Sequence, residues 1–154
     1  MFVDGIAIKR KKLGEMEVLG DDEAVSVSEE NGLEGDYRGK RGSTGFRQVT
    51  IISSSQWEAA CRELDISRPW FCRRANLCVE DYSFSGKDQG RILAVGDKVL
   101  LEITGELEPC ARMDEIFNGL REALTLDWRG GVTCRVLRGG EIRRFDRVTF
   151  TDSE

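Results

Sequence analysis

The sequence predicts a mainly β chain, a small β-barrel carrying one to three short helices. Three observations carry this expectation. Short runs rich in β-branched residues recur at regular spacing along the 154 residues. Glycine-containing turns separate many of them. Only two stretches show the three-to-four-residue periodicity of an amphipathic helix.

In chain order, residues 2–9 alternate loosely through Ile6 and Ile8 into the basic run Lys9-Arg10-Lys11-Lys12, which reads as a solvated strand end. Met16, Val18 and Leu19, then Ala24, Val25 and Val27, read as two strands of a hairpin around Gly20-Asp21-Asp22. Residues 31–45 hold five glycines with Arg38, Lys40 and Arg41, and Arg47 stands just beyond. Such a loop suits an oxyanion, or is a mobile surface loop. It matches neither the Walker-type nor the dinucleotide-binding glycine pattern.

Gln48 to Ile52 is a buried-type strand. Ser55-x-x-Glu58 reads as a capping box, and Trp57, Ala60, Cys61 and Leu64 share one helical face, so Cys61 belongs to the core. Ser67-Arg68-Pro69 ends the helix. In the stretch from Trp70 to Val79, Arg73, Arg74 and Asn76 lie among apolar residues, either as ligand contacts or as a turn, while Cys72 and Cys78 read as structural. Ile92 to Val95 and Val99 to Ile103 form a hairpin around Gly96-Asp97. Ile116, Leu120, Ala123 and Leu124 have helical spacing, with Asn118 as the expected cap. Alternation over Val132 to Leu137 puts Cys134 on a core face. Gly139-Gly140 turns into Glu141-Ile142-Arg143, residues 146–150 close as a last strand, and 151–154 read as a tail.

Composition excludes much chemistry. The chain has no histidine, which removes Ser-His-Asp and Cys-His activation and His-ligated zinc. A net charge of −5 argues against nucleic acid as a partner. Five cysteines without a C-x-x-C spacing, and no leader or membrane-length apolar run, point to a reduced, cytoplasmic setting without membrane association. Any catalysis must use a thiol, carboxylate, lysine, arginine, tyrosine or a cofactor, and among the thiols Cys110 is the candidate, as a reactive or a structural cysteine. Pro109 stiffens the chain entering it and Arg112 follows two positions on, a setting in which a thiolate acts as nucleophile or metal ligand.

Six stretches in order resemble the MOSC family, named for the C-terminal domain of molybdenum cofactor sulfurase. They are Gly32-Leu33-Glu34-Gly35-Asp36, Arg47 to Ile52, Arg73 to Val79, Leu93-Ala94-Val95-Gly96-Asp97, Leu101-Glu102-Ile103-Thr104 through Pro109-Cys110, and Gly131-Val132 to Arg138-Gly139-Gly140-Glu141-Ile142. The resemblance implies one MOSC-type β-barrel domain over residues 1–150, the length of a stand-alone member. It also matches Cys110 to the family's reactive cysteine. Some members are proposed to carry sulfur there as a persulfide, taken from a donor such as a cysteine desulfurase. Others bind the molybdenum cofactor, with the cysteine ligating the metal, and reduce N-hydroxylated compounds with electrons from a separate reductase. For such a cofactor Arg47, Arg73, Arg74, Arg112 and Arg135 form the phosphate-binding pool, and Asp36 and Asn76 suit pterin edges or loop anchoring. The sequence departs from relatives at Arg38, where they often have histidine, and at Phe145-Asp146, where many have Gly-Asp.

Overall fold

The computed structural model describes residues 1–152. It is built mainly from strands: β1 (Phe2–Ile8), β2 (Glu17–Val18), β3 (Val25–Ser28), β4 (Gly32–Leu33), β5 (Val49–Ser53), β6 (Leu77–Glu80), β7 (Ile92–Val95), β8 (Val99–Glu106), β9 (Val132–Arg138), β10 (Gly140–Ile142) and β11 (Val148–Thr151). Three short helices join them: α1 (Ser54–Glu63), α2 (Arg112–Ile116) and α3 (Leu120–Thr125). Eight strands form one sheet in the order β11-β7-β8-β9-β5-β6-β1-β2, and β10-β3-β4 form a second. Among the described residues only β5 and β6 pair in parallel, because α1 carries the chain between them; the other pairs are antiparallel.

The expected barrel is not found as a closed ladder among the described residues. The two flanks of the large sheet meet at one isolated bridge, Phe2 to Arg147. Val3 N–H donates to the Asp146 carbonyl at 2.9 Å, Phe145 N–H to Val3 at 2.7 Å, and Val148 N–H to Met1 at 2.9 Å. The reason lies in β1. Ala7 and Ile8 pair with β2, leaving only the first residues of β1 to face the last strand.

Other expectations shift for physical reasons. The hairpin around Gly20-Asp21-Asp22 does not form: β2 pairs with β1, while β3 pairs with β4 and β10. The hairpin around Gly96-Asp97 forms with Val95 opposite Val99. Helix α1 is capped two residues earlier than Ser55, by Ser53, whose hydroxyl accepts from Gln56 N–H. Asn118 is not a cap. Gly119 takes that position at φ 97°, and Asp114 reaches over from α2 to accept from the Gly119 and Arg121 amides at 3.2 and 3.0 Å. The tail begins later than expected, since Thr151 ends β11; residues 153 and 154 lie outside the described residues.

Two apolar clusters hold the fold. One lies among the strands, centred on residues such as Val49, Ile51, Leu101 and Val136. The other packs Trp57, Ala60 and Cys61 of α1 and Leu120 and Leu124 of α3 against Ile52 and Cys78 on the opposite face of β5 and β6. Each large side chain so buried stabilises the fold by about 1.5–3 kcal/mol. Cys61 and Cys134 are buried, as their core-like spacing predicts; Cys78, read as structural, is buried too, and Cys72 is half-buried against the second cluster. Among the described residues no helix is long and apolar enough to cross a membrane.

Candidate functional site

Cys110 is the exposed cysteine of the five. Its loop leaves β8 at Leu107, which is buried at 2% exposure and donates its N–H to the Gly131 carbonyl at 2.8 Å. The loop lies directly on the Gly130-Gly131 turn. A Cβ at Gly130 would stand 2.5 Å from the Leu107 carbonyl oxygen, so only glycine permits this approach. Arg73 fastens the two segments together. Its Nη2 donates to the Leu107 carbonyl at 2.8 Å and its Nε to the Gly130 carbonyl at 3.0 Å. This guanidinium is buried and has no carboxylate in ion-pair contact among the described residues. Burial, then the charge of Arg47, pushes it down to about 10, and the Cys110 thiolate opposes that shift.

Beside this loop lies a narrow cavity of about 20 Å³ that opens at a rim. Thr50 and Asn76 form its floor. Asn76 is buried; its Oδ1 accepts from the Thr50 N–H at 3.0 Å and hydroxyl at 3.2 Å, and its Nδ2 donates to the Ala7 carbonyl at 3.2 Å. It clamps β1 and β5 together beneath the cavity. Asp36 and Lys9 form a wall, joined by Lys9 N–H donating to Asp36 Oδ1 at 2.9 Å. Burial raises the Asp36 carboxyl above its ordinary range, although bonds from the Lys9 and Arg38 amides and the Asn76 side chain work against this. The Tyr37 ring carries two cations, Lys9 Nζ at 5.7 Å and the Arg38 guanidinium at 5.3 Å from its centre.

Arg38, Arg47 and Arg74 complete the rim. Arg74 reaches it because Arg73-Arg74 leave a single 3₁₀ turn with Arg74 in the left-handed region at φ 65°. The field is cooperative. Lys9, 5% exposed, is pushed down by burial and by Arg74, Arg38 and Arg112, with Asp36 opposing. Arg47 is pushed down by burial and by Arg38, with Tyr37 and the Cys110 thiolate opposing, and its Nε is buried without a hydrogen-bond partner.

Of the residues singled out from sequence, Asp36, Arg47, Arg74 and Asn76 line the cavity, and Cys110, Arg73 and Arg112 stand close enough to act on it electrostatically. Arg135 is not brought there. Its Nη1 pairs with Glu102 at 2.7 Å and its Nε donates to the Thr44 carbonyl at 2.6 Å, so it braces β8 and the glycine-rich loop. Sequence reasoning missed Lys9 and Tyr37. Arg10, Lys11 and Lys12 are indeed solvated, whereas Lys9 is buried. The available signal was position: Lys9 directly follows the apolar run Ile6-Ala7-Ile8, which is buried throughout.

The MOSC domain family profile matches residues 20–149, and the chain belongs to the MOSC family. No curated protein matches it in sequence. Among solved structures it is similar to YuaD of Bacillus subtilis, at 17% identity over 99% of this chain and 96% of that one, with a TM-score of 0.80. It is also similar to YiiM of Escherichia coli, at 16% identity over 100% of this chain and 71% of that one, with a TM-score of 0.72. YiiM of Geobacillus stearothermophilus gives 14% identity, 96% and 73% coverage and a TM-score of 0.70. At these identities the likeness is one of fold.

Proposed function

We propose that this MOSC-family chain holds an anionic ligand with a soft-metal or sulfur centre at the rim of the Lys9–Arg47 cavity and engages that centre through Cys110. One observation carries the reading: of three desolvated cations with no carboxylate in ion-pair contact among the described residues, Lys9 and Arg47 line the cavity, and Arg47 and Arg73 act electrostatically on the exposed Cys110. Desolvated cations are costly unless an anion completes them, and the ligand is the natural anion.

The molybdenum cofactor fits this donor set. Arg47, whose buried Nε lacks a partner, with Arg38, Arg74 and Lys9 would receive the phosphate, and Asp36 would face pterin nitrogens. Cys110 would be the protein's ligand to the metal, since among the described residues no three Cys, Asp or Glu side chains form a metal site of their own. When bound, the cofactor would supply two-electron chemistry suited to reducing N-hydroxylated compounds, with electrons from a separate reductase. Arg73 and Arg112 would position and electrostatically support the thiolate.

The exposure of Cys110 favours a second reading, persulfide carriage. The Cys110 thiolate attacks the sulfane sulfur of a donor persulfide on a cysteine desulfurase. The donor S–S bond breaks, the donor thiolate leaves, and Cys110 carries the sulfur. In either reading we take residues 1–150 as one domain working in a reducing cytoplasm, and its sheet as a barrel whose seam is the Phe2–Arg147 bridge.

The test is metal analysis of protein purified from a molybdenum-replete host, paired with persulfide labelling after incubation with a desulfurase and cysteine. Stoichiometric molybdenum that disappears in Cys110→Ser supports the first reading. Metal-free protein that takes persulfide at Cys110 supports the second. Neither signal, or either one intact in Cys110→Ser, defeats both.

A further inference from the structure

A second groove of about 490 Å³ opens beside the cavity. Arg38 and Arg47 line both, and Lys40, Arg41 and Phe46 are among the further residues of the second. The chain carries 28 acidic residues, yet none stands between Tyr37 and Trp57. None of these four cations has a carboxylate ion pair among the described residues. Phe46 is 59% exposed.

The loop is held from behind. Arg41 N–H donates to the Glu30 carbonyl at 2.9 Å and Gly45 N–H to the Arg41 carbonyl at 2.7 Å. Buried Gln48 donates to the Glu29 and Gly39 carbonyls at 2.7 and 3.1 Å, Arg135 donates to Thr44, and the Thr104 hydroxyl donates to the Phe46 carbonyl. A backbone anchored at this many points presents its outward side chains with little further ordering to lose on binding.

We infer that this groove is a nucleotide subsite, taking a phosphate among Arg38, Lys40, Arg41 and Arg47 and a nucleobase on the Phe46 ring. Guanidinium groups match phosphate oxygens in pairs, and a single exposed aromatic ring stacks any base. The volume falls within the range of small-molecule sites. An inorganic anion would leave Phe46 without a role. An acidic protein face would need further apolar side chains around Phe46 to bury it, and the rest of the groove is lined by Gly42, Ser43 and Thr44. Because Arg38 and Arg47 belong to both spaces, the nucleotide is either free or the end of a pyrophosphate-linked ligand that reaches into the first cavity. The inference stands apart from what Cys110 holds.

The experiment is calorimetric titration of the full chain with AMP, GMP, CMP, inorganic phosphate and diadenosine pyrophosphate. AMP binds about tenfold or more tighter than phosphate, the range that one stacked base contributes. Phe46→Ala brings AMP down to the phosphate level without changing phosphate affinity. Phe46→Tyr retains the stack, so a folding defect in the alanine variant cannot imitate the result. Lys40→Gln weakens AMP and phosphate together, and Cys110→Ser leaves AMP unchanged even if it abolishes molybdenum or persulfide uptake. Diadenosine pyrophosphate binding more tightly than AMP assigns the spanning ligand, and equal affinity assigns a free mononucleotide. Phosphate binding as tightly as AMP, or Phe46→Ala without effect, overturns the inference, as does a polyglutamate peptide that outcompetes AMP.

Discussion

Asn76 separates two readings of the cavity floor, ligand contact and structural clamp. Besides its bond to the Asp36 carboxyl, its side chain makes three hydrogen bonds that tie strands together, to the Thr50 amide, the Thr50 hydroxyl and the Ala7 carbonyl, at 3.0, 3.2 and 3.2 Å. Asn76→Ala deletes all three and strands the Thr50 N–H at a position only 7% exposed. A hydrogen bond contributes about 1 kcal/mol net, and a buried group left unpaired costs about 1–3 kcal/mol, so the variant loses about 4–6 kcal/mol. For a chain of this size that lowers the melting temperature by roughly 10 °C or more. Asn76→Asp keeps the acceptor but replaces the donor with a second carboxylate beside Asp36, where like charges repel, so it destabilises too and also weakens anion binding. Urea and thermal unfolding measure both. A loss below about 1 kcal/mol in Asn76→Ala, with anion affinity reduced, would refute the clamp and make Asn76 a ligand contact.

In the native protein iodoacetamide labels Cys110 first, while Cys78 and Cys134, buried and with thiols pushed well above the ordinary range by desolvation, stay unlabelled on the same timescale by mass spectrometry. Cys61→Ser and Cys134→Ser put a hydroxyl into the core, so they lower stability by about 1–3 kcal/mol in unfolding measurements while Cys110 labels normally. Asp36 has a folded-state pKa above its unfolded value, so its contribution to stability is present below the unfolded pKa and is lost as pH rises through the folded one. The same titration makes phosphate bind the cavity more tightly as pH falls, and Asp36→Asn shows the tighter binding at neutral pH by calorimetry. Arg73→Leu strands the Leu107 and Gly130 carbonyls, so amide exchange at Leu107 rises by about tenfold or more while exchange at Ile51 in β5 is unchanged.

Local chemistry made the strands and α1 legible, because alternation and the spacing of Trp57, Ala60 and Cys61 are properties of short windows. Partner choice was not. Whether β3 pairs with β2 or with β10 depends on a strand more than a hundred residues away, and no short window contains it. The site shows the same division. Cys110 stood out through Pro109, its loop and the absence of histidine. Arg47 and Arg135 are indistinguishable in sequence, each an arginine beside a β-branched strand. Only the fold sets Arg135 against Glu102 and leaves the Arg47 Nε unpartnered. Arg73 looked like a ligand contact and turns out to spend two of its donors on backbone carbonyls under the Cys110 loop.

That difference between paired and unpaired cations is the strongest physical statement the molecule makes about its use. Arg10, Arg91, Arg129, Arg135 and Arg144 all have carboxylate partners. Exposed cations elsewhere need none, since water solvates them. Lys9, Arg47 and Arg73 are desolvated and still lack an ion pair, in a chain with 28 acidic residues against 23 basic ones, so the missing carboxylates do not reflect a shortage of acid. Lys9 and Arg47 face the cavity, and Arg73 lies under the Cys110 loop. Natural cores tolerate desolvated charge of one sign mainly where something else completes it. In the function proposed above, that complement is an anionic ligand received at the rim, beside the loop that carries Cys110.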